Sequence, residues 1–96
     1  MRKTADYIIS YDISDSKRLQ CLAKQIEKLA LRIQNSVYLA SSVTQETLFD
    51  IIDIINSLID QKEDDVRIYT ILDAGYALGQ AVDLNKPFII LGQSFS

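Results

Sequence analysis

The 96-residue sequence contains no histidine and a single cysteine, and each of these features excludes a class of chemistry. Without histidine there is no serine–histidine triad, no imidazole acid or base and no histidine-ligated metal. Cys21 cannot form a disulfide within the chain, which is typical of a protein from the reducing cytoplasm. Any catalysis must therefore depend on carboxylates, a metal ion, tyrosine, serine or lysine.

Long apolar segments are also absent, because charged residues interrupt every hydrophobic run. We therefore expect no membrane span. The first residues carry charge without a following apolar region, so we expect no secretory signal and a cytoplasmic protein. Cys21 lies in a predicted amphipathic helix without a histidine partner, and we expect it to pack in or beside the core.

The charge is small overall and uneven along the chain. The formal net charge is −3, which argues against a simple cationic nucleic-acid binder. Residues 1–36 nevertheless hold seven of the ten basic side chains and only four of the thirteen acidic ones. The first part of the chain could thus present a basic face, although lysines on a helix surface also serve solubility.

Hydrophobic periodicity predicts alternating strands and helices. The predicted elements are a strand over 7–12, a helix capped by Ser14 or Asp15, a strand over 31–39, a short strand around Val43, a helix from near Thr44 and a strand over 65–72. The residues expected to face the core from the two helices are Leu19, Leu22, Ile26, Leu29, Leu48, Ile51, Ile52, Ile55, Leu58 and Ile59. We interpret residues 60–64 as an acidic, solvated loop.

This order of elements predicts an α+β, ferredoxin-like fold, βαββαβ, with both helices on one face of an antiparallel sheet. We expect one domain over residues 1–96, with its core in 7–72. In the tail, 73–85 is predicted as a loop or short helix, and the apolar residues after Pro87 form one more strand. That strand can pair with its own sheet or with a second subunit. We favour pairing across a homodimer, which makes 73–96 a dimer-pairing segment.

Asp12 is the principal candidate for a functional residue. It ends the first predicted strand, beside a helix N-terminus and the basic pair Lys17 and Arg18. A carboxylate in such a place can hold a divalent metal, although it can also cap the helix or bind the loop. Lys17, Arg18 and Arg32 are candidate phosphate contacts. We expect Arg67 to pair with a nearby carboxylate, and Asp64 and Asp65 to be solvated.

The polar residues of the second predicted strand suggest a further surface. Arg32, Gln34 and Ser36 alternate onto one face, and Tyr38 continues it. Because a polar face on an inner strand is unusual for a core, we predict that Ser36 and Tyr38 line a dimer groove.

Three segments resemble a known family. Tyr11-Asp12-Ile13, followed by Asp15 and Arg18, looks like the opening motif of the CRISPR-associated protein 2 family. The segment from Arg32 to Tyr38 is similar to that family's second-strand motif, a basic residue, an aliphatic, Gln, any residue, Ser, Val and an aromatic. The segment from Asp65 to Tyr69 looks like its fourth-strand motif. The three segments lie in the family's order.

The resemblance implies a ferredoxin-like homodimer in which an Asp from each subunit meets near the two-fold axis. On this basis we expect one Mg²⁺ ion to be shared between two copies of Asp12, which would be both metal ligand and catalytic residue. The resemblance also implies a role in spacer acquisition with the CRISPR-associated protein 1 integrase. The implied activity is metal-dependent endonuclease cleavage of RNA or double-stranded DNA.

Three other functions stay open from the sequence. The protein could be a non-catalytic scaffold that holds nucleic acid between integrase dimers. It could be a ribonuclease toxin like the virulence-associated protein D family, which shares the fold. It could also be a ferredoxin-like domain that binds a small molecule.

Overall fold

The computed structural model describes residues 3–71, 87 and 89–92, which form one antiparallel sheet and two helices. In chain order the elements are β1 (Thr4–Asp12), α1 (Ser16–Glu27), β2 (Leu31–Gln34), β3 (Val37–Thr44), α2 (Gln45–Leu58), β4 (Asp65–Thr70) and β5 (Ile89–Gly92). The strand order is β2-β3-β1-β4-β5, which places β1 in the centre of the sheet. This arrangement confirms the predicted α+β, ferredoxin-like fold.

Both helices begin at a side-chain cap, and the sequence predicted the first cap at Ser14 or Asp15 and the start of the second helix near Thr44. Asp15 precedes α1 in an extended conformation, and its Oδ2 accepts the backbone N–H of Arg18 at 3.0 Å. Thr44 ends β3 and caps α2, accepting the N–H of Thr47 at 3.2 Å. Each cap satisfies a backbone donor that the first helical turn leaves unpaired. The cap at Asp15, only three residues after Asp12, fixes the start of α1 at Ser16.

The helices pack on one face of the sheet and bury the expected stripes. Leu22 and Ile26 of α1 meet Leu48, Ile51 and Ile55 of α2 over the sheet. The sheet contributes the alternate residues of its central strands, among them Ile9, Tyr11, Val66 and Ile68. Leu29 departs from the prediction, because it follows the end of α1 and is 43% exposed. Cys21 is also exposed, not packed at the core.

The prediction of one strand over 31–39 is wrong, as is that of a short strand around Val43. Two strands, β2 and β3, form a hairpin through a turn at Asn35 and Ser36. Ser36 adopts a left-handed conformation with φ of 65°. Asn and Ser are residues that tight turns favour, and the alternating pattern across them concealed the reversal. As a consequence β2 is an edge strand, and all four of its residues are exposed.

The C-terminal strand β5 pairs antiparallel with β4 of the same chain, with Ile90 opposite Arg67 and Gly92 opposite Asp65. The sequence left two partners open for this strand, its own sheet and the sheet of a second subunit. The structure of one chain shows the pairing with its own sheet, and the favoured pairing across a homodimer stays a prediction. The predicted loop or helix over 73–85 and the end of the predicted fourth strand at 72 lie outside the described residues. No helix among the described residues is long and apolar enough to span a membrane.

Candidate functional site

Asp12 lies on the face of the sheet that the helices leave uncovered. Its neighbours Tyr11 and Ile9 alternate toward the core, so the pleat turns Asp12 away from it. The carboxylate is exposed and has no hydrogen-bond or ion-pair partner among the described residues. It caps no helix, because Asp15 takes that position. Asp12 is therefore available to a ligand.

A second carboxylate lies directly opposite Asp12 in the sheet. The register of β1 and β4 pairs Asp12 with Asp65 and Ser10 with Arg67. Arg67 donates from Nε to Oδ2 of Asp65 at 3.0 Å, which confirms the predicted pairing of Arg67 with a carboxylate. The other oxygen of Asp65, Oδ1, is buried and has no hydrogen-bond partner among the residues that the structure describes. Like charges opposite each other on a sheet repel, and an unpaired buried oxygen is costly, so a cation here would be stabilising.

Asp64, next to Asp65, is fully buried, so the prediction that it is solvated is wrong. Its Oδ1 accepts the backbone N–H of Ser14 at 3.1 Å and the Ser14 hydroxyl at 3.2 Å. Its Oδ2 accepts the backbone N–H of Asp60 at 2.8 Å. We call Ser14, Arg18, Asp60 and Asp64 the loop clamp, because these contacts tie the β1–α1 loop to the α2–β4 loop.

Arg18 supplies the positive charge of the loop clamp. Its Nε donates to Oδ2 of Asp64 at 2.8 Å and its Nη2 to Oδ1 at 3.2 Å. Burial alone would raise the pKa of Asp64. The hydrogen bonds from Arg18 and from the amides of Asp60 and Ser14 outweigh burial and hold the pKa of this carboxyl well below its usual range. Arg18 thus has a structural partner that competes with its predicted contact to phosphate, and that contact is not tested by the structure of one chain.

The other two predicted phosphate contacts are exposed. Lys17 lies in the first turn of α1. Arg32 lies on the edge strand β2 opposite Tyr38, and its Nη2 donates to Oδ1 of Asn35. Since Tyr38 faces the helices, Arg32 lies on the helix side of the sheet and Asp12 on the uncovered side. The described structure of one chain therefore does not bring Arg32 and Asp12 together.

The two residues predicted to line a dimer groove differ in their surroundings. Ser36 lies in the β2–β3 turn and is partly exposed. Tyr38 is 1% exposed and stacks on Tyr11 with ring centroids 5.8 Å apart. Its hydroxyl accepts from Tyr11 and donates to Glu27, each at 3.3 Å. Burial, helped by Tyr11 and Glu27, raises the pKa of Tyr38 well above its ordinary value. The polar face predicted for Tyr38 is wrong, and its role in a groove stays a prediction.

The described residues of one chain do not complete a metal site, since no group of three or more acidic or cysteine side chains comes together among them. Mg²⁺ prefers octahedral coordination by oxygen, so Asp12 alone is too small a donor set. The residues fit an ion only in part. With respect to the described part of the chain, Asp12 offers a free carboxylate, and Asp65, which lies opposite Asp12 in the sheet, holds an unpaired oxygen.

Comparison with known proteins identifies the family. The family model described as CRISPR associated protein Cas2 matches residues 5–77, which include Asp12 and all three motifs. The chain belongs to the CRISPR-associated protein 2 family. This membership decides against the virulence-associated protein D family and against an unrelated small-molecule-binding domain.

Two relatives that carry the Cas2 name agree with this assignment, and a third protein has a similar structure. A protein of Nitrosomonas europaea, CRISPR-associated endoribonuclease Cas2 1, is 39% identical over 71 residues, which are 74% of this chain and 67% of that protein. The crystal structure of Streptococcus pyogenes Cas2 is 33% identical with a TM-score of 0.61, over 67% of this chain and 82% of that one. The crystal structure of a hypothetical protein from Thermus thermophilus is 28% identical with a TM-score of 0.72, over 88% of this chain and 99% of that one.

Sequence reasoning missed Asp64 and Asp65 as parts of the site. The acidic run from Glu63 to Asp65 was visible, but its partners lie about 50 residues away in the chain. A signal did exist in Arg18, a basic residue in the first helical turn, which needs a carboxylate if it is not to face solvent.

Proposed function

We propose that the protein is a metal-dependent endonuclease of a CRISPR system, with Asp12 as its metal-binding and catalytic residue. The observation that carries the proposal is the exposed Asp12 carboxylate, which has no partner among the described residues and lies opposite Asp65. The endoribonuclease name of the Nitrosomonas relative favours RNA as substrate, and double-stranded DNA is the other substrate to test.

The donor set requires a second copy of the chain. One Asp12 supplies too few oxygens for Mg²⁺, whereas two copies facing across a two-fold axis, with a phosphate oxygen and water, would suffice. When bound, Mg²⁺ would polarise the phosphodiester and make a water molecule more acidic. The unpaired Oδ1 of Asp65 supports the proposal, because its negative charge favours a cation beside Asp12.

The remaining predicted residues would have supporting roles. Lys17 and Arg32 are exposed cations that would contact phosphates of the substrate without reading its sequence. Ser36 would line the dimer groove, and Tyr38, which is buried with its hydroxyl hydrogen-bonded to Tyr11 and Glu27, would support the groove only from within the core. We further propose that the homodimer acts in the cytoplasm during spacer acquisition, together with the CRISPR-associated protein 1 integrase.

The decisive comparison is between the parent protein, Asp12→Asn and Asp53→Asn. Asp53 is an exposed aspartate on α2, so it controls for the loss of one surface charge. Labelled single-stranded RNA and duplex DNA are incubated with Mg²⁺ at matched dimer content. We expect Asp12→Asn and a chelator each to abolish cleavage, and Asp53→Asn to cleave like the parent. Undiminished cleavage by Asp12→Asn would refute the catalytic role.

Mixed dimers test whether two copies of Asp12 share one ion. Parent and Asp12→Asn chains are combined in increasing ratio and allowed to exchange subunits. If both carboxylates are needed, cleavage falls as the square of the parent fraction. A linear fall would mean that each chain acts alone.

A second function, the non-catalytic scaffold, has one observation in its favour. Lys17 and Lys24 of α1, Lys28 at its C-cap and Arg32 of β2 are all exposed, which gives this side of the molecule a set of cations. Such a surface would bind duplex DNA with an affinity that falls steeply with salt. Duplex binding that is retained in Asp12→Asn, with no cleavage by the parent, would favour the scaffold over the nuclease.

A further inference from the structure

The loop clamp connects the two chain segments that flank the proposed site. Ser14 lies two residues after Asp12, and Asp64 lies one residue before Asp65. The side chain of Asp64 accepts the backbone N–H of Ser14 at 3.1 Å, and the register pairs Asp65 with Asp12. The end of β1 is therefore connected to the start of β4 twice, once by the strand pairing and once by the loop clamp.

We propose that Asp64 is a positioning residue for Asp12, which fixes the end of β1 so that the Asp12 carboxylate is held in place. The inference rests on the proposed function of Asp12. A strand end that leads into an exposed loop is where a sheet opens most readily. A functional side chain in such a place needs support from hydrogen bonds behind it.

Only a carboxylate can make this set of contacts. Oδ1 accepts from Ser14 and from Nη2 of Arg18, and Oδ2 accepts from Nε of Arg18 and from the amide of Asp60. Both oxygens therefore face donors only. An asparagine of the same shape would present its NH₂ group to one set of these donors, so Asp64→Asn removes that set, together with the negative charge that strengthens the other, at nearly constant volume.

Hydrogen bonds within the α2–β4 loop hold Asp64 in the position from which it makes these contacts. Oδ1 of Asp60 accepts the backbone N–H groups of Lys62 at 2.8 Å and Glu63 at 3.1 Å. The carbonyl of Asp60 accepts the N–H of Asp64 at 3.0 Å. These hydrogen bonds within the α2–β4 loop fix the position of Asp64. The contacts of Asp64 with Ser14 in turn fix the position of the β1–α1 loop.

The first test is hydrogen exchange, which does not depend on cleavage. In Asp64→Asn we expect the amide of Ser14 to exchange about tenfold faster or more than in the parent, together with the paired backbone at Asp12. Thr44→Ala is the matched control, because it removes the cap of α2, and Thr44 lies opposite Thr4 at the far end of β1. Unchanged exchange at Ser14 would overturn the proposal, even if the parent has no nuclease activity.

The second test uses cleavage and separates positioning from general destabilisation. We expect Asp64→Asn to lower kcat by about 10- to 100-fold with KM for RNA nearly unchanged, since partners behind a ligand have effects of this size. A fall in kcat no larger than that of Thr44→Ala at equal folded fraction would overturn the proposal.

Two milder variants cover the case in which Asp64→Asn does not fold. Ser14→Ala removes the contacts of the hydroxyl, among them the one with Asp64 at 3.2 Å, and keeps the amide contact with Asp64, so we expect a small loss of kcat. Arg18→Lys removes the paired contacts through Nε and Nη2, so we expect a larger one. Equal, parent-like kcat in both variants would overturn the proposal. A parent protein without cleavage would instead refute the nuclease proposal and leave the exchange test to decide this one.

Discussion

The substitution Gly92→Ala tests how closely β5 is fitted to the loop before β4. Gly92 ends β5 with φ of +77°, opposite Asp65. A Cβ atom at this position would lie 2.2 Å from the carbonyl oxygen of Asp64 and 3.2 Å from Cδ1 of Ile59. Alanine would therefore meet both an unfavourable backbone conformation and a steric clash.

The expected cost follows from these two terms. A left-handed conformation costs a residue with a Cβ about 1–2 kcal/mol. Close carbon–oxygen contacts in proteins are about 3.3 Å, so the two backbones must separate by roughly 1 Å. The backbone of Asp64 cannot yield easily, because its N–H is bonded to Asp60 and its side chain belongs to the loop clamp. Overpacking of this kind adds about 1–3 kcal/mol, which gives a total of about 2–5 kcal/mol.

The loss of stability in Gly92→Ala should appear first in β5 and only then in the whole fold. Among the described strands, β5 pairs only with β4 and lies at the edge of the sheet. We expect amide exchange to accelerate at the β4–β5 pairs, while the core pairs of β1 and β3 stay protected. Ile90→Ala is the control, since Ile90 is an exposed residue of the same strand. Parent-like protection of β5 in Gly92→Ala would refute the reasoning.

Two further predictions concern pH. Burial opposes ionisation of Asp64, but hydrogen bonds from Arg18, Asp60 and Ser14 outweigh it and lower the pKa of this carboxyl in the folded protein. The ionised carboxylate therefore stabilises the fold above the ordinary aspartate pKa of about 3.9, and this contribution is lost as pH falls further. Urea unfolding between pH 7 and pH 3 should show a smaller acid loss for Asp64→Asn than for the parent, and equal losses would contradict the prediction. The pKa of Tyr38 is raised by burial and by Tyr11. The protonated hydroxyl therefore contributes to the stability of the fold below a pH of about 10, and this contribution is lost above it. The absorbance of ionised tyrosine at alkaline pH should include a late step that is missing in Tyr38→Phe. A late step of the same size in Tyr38→Phe would contradict the prediction.

Local signals were sufficient to predict the helices and most of the strands. Asp15 and Thr44 are caps, and the apolar residues that follow each cap recur at helical spacing, so both helices could be placed from the sequence. The hairpin between β2 and β3 was missed because an alternating pattern looks the same with or without a turn. In this case Asn35 and Ser36 carried the only turn signal, and they lack the glycine that would have made it strong.

The site could be predicted only in part, because its partners come from distant segments. Asp12 was identified from its place at a strand end, which is a local feature. The burial of Asp64 depends on Arg18 and Ser14, which lie 46 and 50 residues away in the chain. The position of Asp65 opposite Asp12 depends on the register of β1 and β4, and periodicity carries no information about register.

The loop clamp also changes how the charge asymmetry of the chain should be interpreted. Arg18 belongs to the basic first part and Asp64 to the acidic second part, and the structure joins them at 2.8 Å. Some of the asymmetry is therefore internal complementarity between two segments that pack together. The cations left for nucleic acid on this side are Lys17, Lys24, Lys28 and Arg32, all of them exposed. Because each phosphate contact adds about 0.9 to the salt slope of duplex binding, substituting one of these four should reduce the slope by about one unit. Arg18→Gln should leave the slope unchanged wherever the fold is retained.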